Sequence, residues 1–252
     1  MGQFIAKSVK LGNNVSIGHN SVILDNVEIG NNCIIGHNVV IHENVKIGCD
    51  CRIDDNTIIG KKPMFSPRSI FKSQQEWTDT IIGDKCLIGA NVIIYIQCKI
   101  GASNLIADMA SIRENVVIED FNIIGRGVSI ENFCSIGNRN KLETNVYLTA
   151  YSKIEDYCFI APCVATSNDN YAGRDKERFK HFKGVTMKKG ARIGVSSIIL
   201  PGKTLNEDCL IAGGSLVSKD VPKCELWVGN PAAYRRNVPD SQLLENNLDK
   251  KD

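Results

Sequence analysis

Aliphatic residues recur along this chain at a fixed spacing of six. From Leu11 they fall at Ile17, Ile23, Ile29, Ile35, Ile41, Ile47, Ile53 and Ile59 without a miss. The beat restarts at Ile82 and holds through Ile88, Ile94, Ile100, Ile106, Ile112, Ile118, Ile124, Ile130, Ile136, Leu142, Leu148, Ile154 and Ile160, then again at Met187, Ile193, Ile199, Leu205, Ile211 and Val217. With 43% of residues apolar, the unbroken middle series has a chance probability on the order of one in 10⁵. The residue two before each aliphatic is small or branched, as at Val15, Val27, Val39, Thr57 and Ser152, and the one after is often Gly, Asp or Glu. Strand alternation sends the small residue and the aliphatic inward and the residue between them outward, while Gly, Asn and Asp supply corner backbone angles. No α-helix has this period. The pattern predicts an all-β fold, a parallel β-helix of about ten triangular coils, three hexads to a coil.

The outward residue before each aliphatic returns to one face every three hexads. The spacing predicts one apolar stripe made of Val22, Val40, Ile58, Leu87, Leu105, Ile123, Lys141, Phe159, Ile198 and Leu216, with Lys141 its single polar member. A stripe of that length is expected to be covered by another copy of the chain.

The beat breaks twice, because Ile59 to Ile82 and Ile160 to Met187 are not multiples of six apart. Two loops are therefore expected, over 61–80 and 166–186. The first carries Lys62, Phe65, Arg68, Phe71, Lys72 and Trp77, cations beside aromatics that suit either a nucleotide or a neighbouring subunit. The second carries Asn168, Asp169, Tyr171, Arg174 and His181, and insertions on a rigid scaffold commonly hold substrate contacts. The reading is one domain over 1–237 and a tail over 238–252.

Thirty basic against 28 acidic residues give a net charge of +2, without the basic footprint that nucleic acid demands. The N-terminal stretch has no charged-then-apolar leader build, and no apolar run reaches the roughly 18 residues of a membrane span. A cytoplasmic protein without membrane insertion is expected. Among ten cysteines, Cys33, Cys51, Cys86, Cys98, Cys134, Cys158 and Cys209 occupy the small inward slot, where a thiol acts as a compact hydrophobe. Cys49, Cys163 and Cys224 form no C-x-x-C pair and have no nearby histidine cluster, so no metal is expected. His19, His37 and His42 read as corner residues.

The stretch from Lys188 to Asn237 contains G-A-R-I-G, I-L-P-G, I-A-G-G-S-L-V-S-K-D-V-P and V-G-N-P-A in that order. It closely resembles the C-terminal coils of hexapeptide-repeat acyltransferases, and the repeat resemblance runs from about Leu11 to Arg236. The resemblance implies a left-handed parallel β-helix, a homotrimer, and acetyl-CoA as co-substrate in a groove between neighbouring prisms. It places Ala191, Ser197 and Ala212 against the pantetheine arm, Lys219, Arg235 and Arg236 near the charged nucleotide end, and Asn230 and Pro231 at the turn beside it.

Many O-acetyltransferases of this superfamily carry a catalytic histidine in a T-x-x-H stretch entering the second loop. Here that stretch is Thr166, Ser167, Asn168 and Asp169. A hydroxyl acceptor needs a general base, whereas an amine is nucleophilic once it has lost one proton. The resemblance thus points to N-acetyltransferases acting on nucleotide-linked, usually dTDP-linked, 3-amino-3,6-dideoxyhexoses for surface polysaccharide. Glu143, Asn145, Asn168, Asp169, Tyr171 and Arg174 are the candidate sugar contacts, and Asn168, Asp169 and His181 the candidate catalytic groups. The alternatives are a UDP-linked 2-acetamido-3-amino sugar as acceptor, and a non-catalytic or metal-binding β-helix.

Overall fold

The computed structural model describes residues 2–66, 76–174 and 176–248. Its regular structure is almost entirely short strand, with pairs such as Ile34–Ile35 and Phe159–Ile160 ending on a repeat aliphatic. Among the described residues the helical pieces are Arg178–His181 and two 3-10 turns at Asp240–Gln242 and Leu244–Asn246. The chain divides into two compact units, Met1–Phe121 and Asn122–Asp252.

The six-residue pattern builds the coils as expected. Ser16 and Ile17 pair in parallel with Ile34 and Ile35, one coil later. Repeat aliphatics such as Ile23, Ile53, Ile106, Ile124 and Ile160 are fully buried, and so are the seven inward cysteines. Corners are left-handed backbone, with φ of 60° at Asn20, 55° at Asn38 and 62° at Asn56. Asn tolerates this region better than other side chains, and its amide also ties the corners together. The Asn20 Nδ2 donates to Asn38 Oδ1 at 3.3 Å, and Asn38 Nδ2 to Asn56 Oδ1 at 3.2 Å. A second column satisfies the backbone: His19 N donates to His37 Nδ1 at 2.8 Å, and His37 N to Asp55 Oδ1 at 2.7 Å. His19 and His37 are thus corner residues.

In the first unit the outward residues fall on three sheets. One carries Phe4, Val22, Val40, Ile58, Ile93 and Ser111; the next carries Lys10, Glu28, Lys46, Ile81, Lys99 and Val117; the last carries Ser16, Ile34, Arg52, Leu87 and Leu105. The expected single stripe is therefore wrong in phase. Ile58–Lys61 lies on the first sheet and the chain returns from the insertion on the second, at Thr80–Ile82, so Leu87 lands beside Arg52 and not above Ile58. The second unit repeats the error. Ala165–Thr166 is a coil strand that the aliphatic beat misses, since Thr166 fills the inward slot, and Met187 returns on the following sheet. Ile123, Lys141, Phe159, Arg192 and Leu210 share one face, while Ser129, Tyr147, Ala165, Ile198 and Leu216 share another. Apolar character is spread over two faces of each unit, and the remaining one is polar.

Over both units the three sets of strands number 11, 10 and 12, slightly more than ten coils supply. The excess comes from Phe4–Ile5, from Ala165–Thr166 and from the terminal hairpin. In that hairpin Glu225–Gly229 pairs in parallel with Leu210–Ile211 and antiparallel with Ala232–Asn237. The following residues fold back on the coils, with Leu244 N donating to Asp208 Oδ1 at 2.9 Å.

Candidate active site

The second insertion is built from its neck outward. Thr166 ends a coil strand; its buried Oγ1 accepts the Thr149 amide at 2.7 Å and donates to the Tyr147 carbonyl at 3.2 Å. Asn168 stands at the neck, its carbonyl accepting the Lys183 amide at 3.3 Å. The neck closes because Gly184 lies against the Tyr151 and Ser152 backbone, where a Cβ would have no room.

Asp169 organises the loop. Its carboxylate accepts the Tyr171 amide at 2.8 Å and the Gly173 amide at 3.0 Å, and pairs with Arg178 Nη1 at 2.8 Å. Partial burial pushes its pKa up, but the two amides and the guanidinium outweigh that and hold it below the ordinary carboxylate range. A carboxylate so engaged is a poor proton acceptor. Arg178 also lies over the Phe179 ring, 4.7 Å from its centroid. The Tyr171 and His181 rings stack with centroids 6.0 Å apart, and both residues are exposed, as is Arg174. Asp169, Tyr171 and His181 are therefore gathered in one loop.

Glu143 and Asn145 sit elsewhere on the coil. They form the corner after Lys141–Leu142, where Asn145 takes the left-handed angle with φ of 60°. The Glu143 carboxylate has no hydrogen-bond or ion-pair partner among the described residues, and Ala212 occupies the equivalent corner after Leu210–Ile211. The insertion instead follows Ala165–Thr166, on the sheet that includes Tyr147–Leu148. One sheet face thus separates the two groups of candidate sugar contacts within a single chain.

The carried-over cofactor residues divide as well. Ala191 and Ser197 point into the core and are fully buried, with Ser197 Oγ donating to the Ala212 carbonyl at 3.1 Å. Their side chains cannot meet a ligand in a surface groove, because each stands two before a repeat aliphatic, the inward slot. Lys219, Arg235, Arg236, Asn230 and Pro231 are exposed on or beside the final coil and hairpin.

Sequence reasoning missed two aromatic features. Phe133 and Tyr151 stack 5.4 Å apart and 2° from parallel, on the corner that leads from the Ser129 and Tyr147 strands toward the insertion side. Their signal is an aromatic at a left-handed corner position, with φ of 60° and 66°, where Asn usually stands. In the first unit, Tyr95 is flanked by Lys61 Nζ at 5.0 Å and by the Arg113 guanidinium at 4.9 Å from its ring centroid. Arg68, Phe71 and Lys72 lie outside the described residues. Lys62 reaches Glu43 at 3.8 Å, and His42, whose pKa burial lowers, lies 4.0 Å from the same carboxylate. No group of three or more His, Cys, Asp or Glu could hold a metal ion among the described residues, and no helix there is long and apolar enough to cross a membrane.

Comparison with known proteins bears on this geometry. A family model for bacterial transferase hexapeptide, six repeats, matches residues 8–43, and one for the hexapeptide repeat of succinyl-transferase matches 26–61 and 79–119. The dTDP-3-amino-3,6-dideoxy-alpha-D-galactopyranose 3-N-acetyltransferase of Aneurinibacillus thermoaerophilus is 39% identical over 57 residues, 23% of this chain and 30% of that protein. The mitochondrial gamma carbonic anhydrase 2 of Arabidopsis thaliana is 32% identical over 63 residues, 24% of this chain and 23% of that protein. Both matches thus span less than a third of the relative's length. A UDP-N-acetylglucosamine acyltransferase from Campylobacter jejuni aligns over 99% of this chain and 78% of its own, at 20% identity and a TM-score of 0.48. By its repeats and its coils, the chain is a hexapeptide-repeat β-solenoid, similar over residues 8–61 and 79–119 to the repeats of the transferases those models describe.

Proposed function

We propose that this protein transfers acetyl from acetyl-CoA to the amine of a nucleotide-linked 3-amino-3,6-dideoxyhexose, dTDP-linked in the first instance. The observation that carries the reading is the entry to the second insertion: it has no histidine at the T-x-x-H position, and the carboxylate there is committed to two amides and Arg178. The 57-residue match to an amino-sugar N-acetyltransferase supports the same acceptor. In the reaction the neutral amine attacks the thioester carbonyl, the C–N bond forms, the C–S bond breaks, and the sulfur leaves with the proton the nitrogen gives up. The protein's part is to hold the two reactants together in a place closed to water, which is worth several kcal/mol without a protein base.

Glu143 and Asn145 on one corner, and Asn168, Tyr171 and Arg174 around the insertion on another, meet one acceptor when two copies stand side by side, as in a homotrimer. The Phe133 and Tyr151 pair offers a flat exposed surface for the acceptor's base. The thioester arm runs along the Ala212 corner toward Lys219, Arg235 and Arg236, whose charges suit the phosphates of CoA. The product would feed surface polysaccharide from the cytoplasm.

The test is release of free thiol from acetyl-CoA with a panel of acceptors. Release with a dTDP-3-amino sugar, and none with the matching 3-hydroxy sugar, is expected; release with hydroxyl acceptors alone overturns the reading. A panel that includes a UDP-2-acetamido-3-amino sugar decides between the two nucleotides. A metal-binding β-helix is the second reading, favoured by the match to a gamma carbonic anhydrase. It requires about one zinc per subunit in purified protein by elemental analysis.

A further inference from the structure

Arg192 faces outward on a coil strand, between Phe159 and Leu210 of the neighbouring coils. Among the described residues its Nε and Nη2 are shut off from solvent and meet no hydrogen-bond acceptor. A guanidinium stays charged, and its donors form a planar fork made for oxyanions, so two dry and unpaired donors are a marked departure from the rule that buried polar groups are satisfied.

Arg192 borders a cavity of about 210 Å³, walled by Tyr157, Gly190, Asp208, Gln242, Leu244 and Asn247. The chain's own C-terminal segment makes the far wall. Leu244 N is held by Asp208 Oδ1 at 2.9 Å, and Asn247 Nδ2 donates to the carbonyls of Ser241 at 2.9 Å and Leu243 at 2.7 Å. Gly190 keeps the near wall thin, since a Cβ there would come within 2.7 Å of Asp208 Oδ1 and 3.3 Å of Leu244 Cβ. Two further cations surround the Tyr157 ring, Lys189 Nζ at 5.7 Å and the Arg139 guanidinium at 6.0 Å from its centroid. Asp208 is the acid on the wall, and one of its oxygens already serves the tail.

We propose that this cavity binds a phosphoryl or comparable oxyanion group, received by Arg192 Nε and Nη2 and closed over by the segment 240–247. It lies at the corner before the Arg192 strand, away from both the second insertion and the Glu143 corner, and does not depend on the acceptor proposed above. The group can come from free phosphate or from the phosphate ester of a nucleotide.

Calorimetric titration of the full chain with inorganic phosphate tests it, followed by CoA and by dephospho-CoA, which lacks the 3′-phosphate. Saturable phosphate binding is expected, together with slower hydrogen exchange at the Leu244 amide. Arg192→Met keeps the bulk and loses the donors, and is expected to weaken phosphate binding at least tenfold; Arg192→Lys keeps charge without the fork and falls between. CoA competing with phosphate where dephospho-CoA does not assigns the group to a 3′-phosphate ester, competition by both assigns it to a nucleotide diphosphate, and competition by neither assigns it to free phosphate. Wild-type phosphate affinity in Arg192→Met, or a partner subunit's carboxylate on Arg192 in the assembled protein, overturns the proposal. So does an Arg192→Met protein that melts lower than wild type by the same amount with and without phosphate, the mark of a purely structural arginine.

Discussion

Leu87 and Ile88 are neighbours in one two-residue strand, yet the coil gives them opposite fates: Leu87 is 48% exposed and Ile88 1%. Truncating each to Ala removes the same number of carbons, which makes the pair a direct test of the alternation. Ile88→Ala takes three buried carbons out of the core, about 2.4 kcal/mol at roughly 0.8 kcal/mol per carbon. The cavity left between stacked coils adds to this, since Ile106 and Ile53 cannot both close in, giving a total of about 2–5 kcal/mol. For a chain of this size that lowers the melting temperature by roughly 5–15 °C. Leu87→Ala should change the stability of the isolated chain by about 0.5 kcal/mol or less. If the apolar face carrying Leu87 is buried between copies, its cost appears only as a shift that grows as protein is diluted. Melting followed by circular dichroism at several protein concentrations reads both effects. Equal, concentration-independent losses in the two variants would refute the inward and outward assignment.

Thiol labelling in the native state should modify the exposed Cys163 first, then Cys49 and Cys224, and leave the inward seven untouched until unfolding. Burial holds Cys98, Cys134, Cys158 and Cys209 at about 12, well above a reactive thiol, and mass spectrometry of labelled peptides checks the order. Asp169→Asn should lower kcat/KM by loosening the insertion while leaving the melting temperature of the coils in place; an unchanged kcat/KM would contradict the organising role given to that carboxylate. Because its folded pKa is depressed, the order it lends is present above the unfolded value of about 3.9 and is lost as pH falls through the folded one. Protection of the Tyr171 and Gly173 amides should therefore be full from neutral pH down to about 4, decline below that, and be gone only once pH has fallen through the lower folded value. His181→Ala should leave kcat within a few-fold of wild type, and a loss of about 10² or more with both substrates still bound would make His181 the base.

The fold was legible because its rule is local. Period two within a strand, period six along the chain and Asn or Gly at the corner are each visible in a single hexad, so strand positions, the buried cysteines and the corner histidines all follow. Phase through an insertion is not local. Thr166 satisfies the inward slot with a hydroxyl that bonds the preceding coil's backbone, and no count of aliphatics detects it. That one residue moves Ile198 and Leu216 to a different face from Phe159. The same rule, applied strictly, would have kept Ala191 and Ser197 in the core, where motif resemblance moved them to the groove. Asp169 was found as a residue but not as a role, since its fate depends on Arg178 nine positions later, and Arg192 gave no sign because its isolation depends on a tail folding back from 240–247.

The coil places Glu143 and Asn145 on one corner and the second insertion on another, so the proposed reaction requires two copies for one site. Mixing two inactive variants, Glu143→Ala/Asn145→Gly and Asn168→Ala/Arg174→Ala, by co-refolding or co-expression tests this most directly through acetyl-CoA thiol release. With equimolar random mixing into trimers, about one site in four overall, and about one in three within each mixed trimer, should regain activity, because that fraction pairs an intact corner with a neighbour's intact insertion. Activity no greater than that of either variant alone, in assemblies shown to be mixed, would contradict it.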